Sequence, residues 1–191
     1  MKPFKRSSGV LLPVFSLPSN YGIGTIGKAA YDFIDFLHSA KQAYWQILPV
    51  GSTGFGDSPY QSFSTYAGNP YFIDLDLLIK DGLISKEDVD RFDWGNDPEK
   101  IDYGKIYSAK FAILEMAYKN GIEKDRKKYE KFKEENRSWL GDYSLFMAVK
   151  KHFDFKPRTQ WPEADISRHQ KNACDKYREV LKTDVEMYGY I

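Results

Sequence analysis

The chain has 191 residues, 42% of them apolar and 29% charged, with a formal net charge of +1. That suits a folded domain with a sizeable core and lacks the basic excess that phosphate-rich partners select, so no nucleic-acid partner is expected. The lone cysteine, Cys174, excludes an internal disulfide and no apolar run is long enough to span a bilayer, so a cytoplasmic protein without a membrane partner is expected.

Lys2, Lys5 and Arg6 precede the apolar run Gly9–Phe15, which superficially copies a secretory leader. Pro13 interrupts the run and no small-residue cleavage site follows, so it reads as a strand buried on both faces. Ile26–Ala40 has helical spacing, with Ala29, Phe33, Phe36, Leu37 and Ala40 on the inner side. Tyr44–Val50 is a second apolar strand. This strand, helix, strand order predicts a right-handed crossover and a parallel sheet.

Gly22-Ile23-Gly24-Thr25-Ile26-Gly27 matches the dinucleotide-binding pattern G-x-G-x-x-G. In that fold the first glycine turns directly out of the strand, and an acid after the second strand holds the ribose; both features are missing here. The glycines read as a turn and a helix start.

The loop after the second strand, Gly51 to Gly68, combines turn-forming glycines with Tyr60, Phe63 and Tyr66, and with Asp57, Ser58, Gln61 and Ser64. Flat rings beside hydrogen-bonding groups are what a sugar ring needs, although a surface loop folded onto the body would use the same residues. It also follows the carboxyl end of a strand, where parallel α/β folds build their sites. Next, Tyr71–Leu78 alternates, which predicts a strand with Asp74 and Asp76 on its solvated face.

From Ser85 onward the pattern is helical. Ser85-Lys86-Glu87-Asp88 opens a short helix, Tyr107, Phe111, Leu114 and Tyr118 form an apolar stripe, and Glu123 to Arg137 reads as a solvated helix with pairs at Glu123–Lys127 and Lys131–Glu135. Pro157 and Pro162 bracket a loop around Trp161, and a last helix runs from about Ile166 to the end. Cys174 reads as a packing residue. His38, His152 and His169 lack ligand spacing, so no metal is expected. There is no G-x-S-x-G, P-loop or HExxH motif to support serine, nucleotide or zinc chemistry.

The segments SGVLLPVFSLPSNYGIGTIG, YWQILPVGSTGFGDSPYQSFSTYAGNPYFIDLDLL, IDYGKIYSAKF and WLGDYSLFMAVK resemble, in order, the amino-terminal part of glycoside hydrolase family 77, the 4-alpha-glucanotransferases. The resemblance implies an α/β fold, the N-terminal part of a (β/α)8 TIM barrel with a mainly helical insertion subdomain. Residues 1–84 would hold the first β/α units with a sugar-binding loop at 51–70, and 85–191 the helical insertion and the start of the next barrel segment. It implies retaining transfer of α-1,4-glucan segments between maltooligosaccharides without a cofactor.

Retention needs two carboxyl groups about 5–5.5 Å apart. The family's catalytic carboxylates match no residue of this chain, so no catalytic residue is assigned. Substrate contacts do carry over. Tyr60 matches the tyrosine that stacks beside the scissile bond, with Ser58 and Asp57 in the same loop. Phe55 and Tyr107 match aromatic positions that meet the glucan elsewhere, although many members have tyrosine where this chain has Phe55. A full barrel takes about 250 residues, so the chain is expected to be a truncated portion, inactive alone and prone to self-association through an unpaired sheet edge. A non-catalytic glucan-binding module is the alternative.

Overall fold

Two short apolar runs separated by an amphipathic helix pair as the crossover rule requires. In the computed structural model, which describes residues 6–54, 56–95, 97 and 99–191, β1 (Gly9–Leu11) lies parallel to β2 (Tyr44–Gln46), and α1 (Lys28–Ser39) comes between them in sequence. Val10 faces Trp45 across the ladder, and the Trp45 indole N–H donates to the Leu12 carbonyl at 2.8 Å.

Both strands are shorter and barer than expected. Each has three residues, and Leu11 and Tyr44 are 55% and 57% exposed. The strand expected over Gly9–Phe15 gives way after Pro13 to a 3-10 turn, Val14–Ser16. Proline has no N–H for the ladder, and with one neighbouring strand each a two-stranded sheet covers little of either face. α1 buries Ala30 and Leu37 and sets Phe33 edge-on to Trp45 at 5.1 Å, whereas Phe36, expected inside, is 60% exposed.

The strand expected over Tyr71–Leu78 is instead a 3-10 turn, Pro70–Phe72, followed by helix α2, Leu75–Lys80. Asp74 is the α2 N-cap and accepts from the Leu77 amide at 2.9 Å. Its carboxylate also accepts from the Thr25 hydroxyl at 2.5 Å, and Asp76 accepts from the Tyr21 hydroxyl. The two acids therefore hold the glycine-rich segment rather than forming a solvated strand face.

Helix α3 (Lys86–Asp90) starts at a complete capping box between Ser85 and Asp88. α4 (Tyr103–Glu135) follows. The chain divides into two compact units, Met1–Ala117 and Tyr118–Ile191. In the first, one cluster gathers Val14, Leu17, Ile23, Tyr71, Phe72 and Ile106, and another gathers Tyr21, Leu75, Val89, Trp94 and Ile113. Leu75, Ile106 and Ile113 are fully buried, and burial of each such side chain stabilises the fold by about 1.5–3 kcal/mol.

In the second unit, α5 (Leu140–His152) lies against α7 (Lys171–Val180) and α8 (Lys182–Tyr190), with the one-turn helix α6 (Ala164–Ser167) before them. Leu145, Val149, Trp161, Ile166 and Tyr177 form its core, and buried Cys174 packs among them. The last helix is broken twice. His169 takes a left-handed φ of 57° and Leu181 leaves helical geometry, so three segments replace one. On the solvated part of α4, Lys131 pairs with Glu135 at 3.8 Å as expected, while Glu123 pairs with Arg126 at 2.6 Å instead of Lys127. No helix among the described residues is long and apolar enough to cross a membrane.

Candidate functional site

The glycines and hydroxyls of the loop after β2 close it on itself. Antiparallel bridges join Gly51 to Gly68 and Thr53 to Ser62, and the Asn69 amide donates to the Val50 carbonyl at 2.8 Å, sealing the base. Ser64 Oγ accepts from the Tyr66 and Ala67 amides at 3.2 and 3.0 Å, while the Ser62 hydroxyl donates to the Ser64 carbonyl at 2.6 Å. Ser62 and Ser64 are therefore spent on turns. Tyr60 and Tyr66 stand out from this frame, 73% and 71% exposed.

Asp57, Ser58 and Tyr60 sit together on the loop. The Tyr60 amide donates to Ser58 Oγ at 3.4 Å. Asp57 adopts a left-handed φ of 52°, which aspartate tolerates better than most residues, and its amide donates to the Gly54 carbonyl at 3.2 Å. The carboxylate is half-buried. Burial pushes it above the usual aspartate range, against the Thr53 hydroxyl, which donates to it at 3.5 Å. Phe55 lies outside the described residues.

Tyr107 comes from α4 rather than the loop. It is half-buried, with its ring 5.2 Å from Phe111, and burial pushes its hydroxyl above the ordinary phenol range. Two aromatics overlooked in the sequence link it to the loop. Tyr71 and Tyr103, with ring centres 6.1 Å apart, line a small cavity with Thr53, Asp57 and Asn69. Burial, and then the nearby Asp57 charge, push both hydroxyls up. The spacing Tyr103, Tyr107 and Phe111 on one helical face was the available signal; Tyr71, in a segment expected to be a strand, had none.

Phe15, Ile23 and Tyr103 also face an open groove of about 1050 Å³, whose other lining includes Leu17, Asn20 and Glu99. That is the size of a ligand cleft, with apolar walls and scattered polar groups. The G-x-G-x-x-G segment supplies part of this wall, and its glycines have packing reasons. Gly22 has φ of +72°, and a Cβ on Gly27 would sit 1.9 Å from Asp74 Oδ2. Among the described residues no group of three or more His, Cys, Asp or Glu side chains is placed to hold a metal.

A family model described as 4-alpha-glucanotransferase matches residues 12–191. A 4-alpha-glucanotransferase from Streptococcus pneumoniae is 51% identical over 178 residues, 93% of this chain and 35% of that protein. One from Thermus thermophilus is 39% identical over 189 residues, 97% of this chain and 37% of that protein. Among solved structures, amylomaltase from Streptococcus agalactiae in complex with acarbose superposes with a TM-score of 0.92 at 42% identity, covering 97% of this chain and 38% of the other. The chain thus spans a little over a third of the length of these relatives.

Proposed function

Because the chain belongs to the 4-alpha-glucanotransferase family, we propose that its loop after β2 is a wall of an α-1,4-glucan site. The observation that carries this reading is the Tyr60 ring, 73% exposed on a loop otherwise closed by its own hydrogen bonds. A pyranose has an apolar face and a hydroxyl rim. Tyr60 offers the first a flat surface, and Ser58 and Asp57 offer the second hydrogen-bonding partners. Tyr107, with Phe55, is the proposed second aromatic contact. The amylomaltase from Streptococcus agalactiae was solved with acarbose, which supports a maltooligosaccharide as the ligand class here.

The proposed reaction of the whole enzyme is retaining double displacement. One carboxylate attacks the anomeric carbon and expels the leaving glucan as an acid protonates the glycosidic oxygen; the 4-hydroxyl of an incoming glucan, deprotonated by that same group, then releases the covalent intermediate. None of the residues here is assigned those two roles. Asp57 belongs to binding, and the 191-residue chain is expected to bind without turning over. The pairing of β1 and β2 about α1 supports an α/β architecture in which residues 1–84 are the first units of a (β/α)8 barrel and 85–191 a helical insertion with the start of the next barrel segment. The single cysteine supports a cytoplasmic setting.

Titrating the chain with maltohexaose by calorimetry tests the reading. Binding that Tyr60→Ala weakens about tenfold or more, roughly 1.4 kcal/mol, with unchanged circular dichroism, is the expected result. Unaltered binding in that variant sinks the assignment of Tyr60. Conversion of maltotriose to glucose and longer chains by the 191 residues alone would show that the reacting carboxylates lie among them.

A further inference from the structure

Among the described residues of the first unit, Lys110 is the buried charged side chain that the proposed site leaves unused. It lies on α4 and has none of its surface exposed. An ammonium offers three donors, and among the described residues the acceptor it finds is the Ile73 carbonyl. Ile73 ends the 3-10 turn Pro70–Phe72 and immediately precedes Asp74, the α2 cap.

That point is a junction. The Ile26 amide donates to the Phe72 carbonyl at 2.9 Å, and Thr25 donates to Asp74, so the stretch that follows the groove-lining Gly22–Gly24 is held by the residues on either side of Ile73, whose carbonyl Lys110 grips. Asp74 is the charged group whose field reaches the amine. The elements meeting there also carry Asp76 on α2, occupied by Tyr21, Lys80 in the last turn of α2, Lys105 on α4, paired with Asp93 at 2.6 Å, Glu115 further along α4, and the phenols of Tyr71, Tyr103 and Tyr107. Burial holds all four phenols above their ordinary range, so they stay neutral through the physiological interval.

We propose that Lys110 is a proton-operated latch: its amine, tied to the Ile73 carbonyl, fixes the Ile73–Asp74 step and through it the Thr25–Gly27 segment that follows the groove-lining Gly22–Gly24, more firmly when protonated. A charged donor makes a stronger bond to a carbonyl than a neutral amine and attracts Asp74 as well. Losing the proton weakens the first and removes the second. Burial brings the amine down to about 7, with Asp74 acting against the fall, which places the change where a neutral environment operates it. The latch is independent of what the groove binds.

The test is an NMR titration of the 13C,15N-labelled full chain from pH 5.5 to 10.5. The Lys110 13Cε resonance, identified by its absence in Lys110→Arg, is expected to titrate within one unit of pH 7, about three units below exposed lysines. The Ile26 and Leu77 amides should move with the same midpoint. That movement should vanish in Lys110→Met and in Lys110→Arg, whose guanidinium does not titrate there, and should survive His38→Gln. A lysine midpoint above pH 9 overturns the proposal, as does a midpoint near 7 that neither amide follows. If Lys110→Met does not fold, Lys110→Arg and the native titration still decide. No sugar enters the measurement, so failed maltohexaose binding would refute the glucan site and leave the latch standing.

Discussion

Gly27→Ala gives the sharpest test of how the glycine segment is held. Gly27 has φ of −128° and ψ of −151°, a backbone conformation open to any residue, so the cost of alanine is one of space alone. The added methyl would lie 1.9 Å from Asp74 Oδ2 and 2.2 Å from its Cγ, and the carboxylate must move. Moving it breaks the bond from Thr25, itself 4% exposed, and the cap on α2. A lost N-cap costs about 0.5–2 kcal/mol and a lost hydrogen bond to a charged group about 1.5–3, which together predict roughly 2–5 kcal/mol. Urea unfolding of the chain at neutral pH measures it as a lower midpoint with an unchanged slope. The double variant with Asp74→Ala provides the control. With the clashing carboxylate gone, Gly27→Ala should add less than about 0.5 kcal/mol. A loss below that in the native background, or full additivity in the double variant, refutes the packing argument.

Two further variants probe the other anchors. Ser85→Ala removes one side of the capping box that starts α3 and should lower stability by about 1 kcal/mol in the same urea assay, with Ser85→Asp recovering most of it. In the second unit Glu186 accepts from Arg126 and from the Tyr118 hydroxyl at 2.7 Å, and these donors, Arg126 foremost, hold it below the usual glutamate range. A carboxylate with a lowered folded-state pKa contributes stability above its unfolded value, near 4.3, that is lost as pH falls through the folded one. Glu186→Gln should therefore destabilise the chain more at pH 7 than at pH 3; equal losses at both, read by thermal melting, would contradict the charge argument.

The crossover was legible in the sequence because two apolar runs flanking an amphipathic helix have few ways to pair. The segment Tyr71–Leu78 was misread for an equally physical reason. The segment and the residue after it carry both periods: Ile73, Leu75 and Leu77 alternate, but Leu75, Leu78 and Ile79 also recur at helical spacing. The core uses the second set, since Leu75 is fully buried with Leu78 and Ile79 packed beside it, and Asp74 makes the cap that tips the choice. Phe36 illustrates the opposite error, because spacing places it on the apolar side of α1 while the described residues leave it 60% exposed.

The GDSPYQ loop and the order of its flanking segments were enough to determine the family, because those motifs are written directly in the chain, and the resemblance they carry is what proposes Tyr60 as a sugar contact. Tertiary structure alone decided what stands behind the loop. Tyr71 and Tyr103 share a cavity with Asp57, Asp74 reaches Thr25 across 49 positions, and Lys110 is sealed against Ile73. Each depends on the distance between groups far apart in sequence, and a buried amine or carboxylate takes its proton affinity from those neighbours.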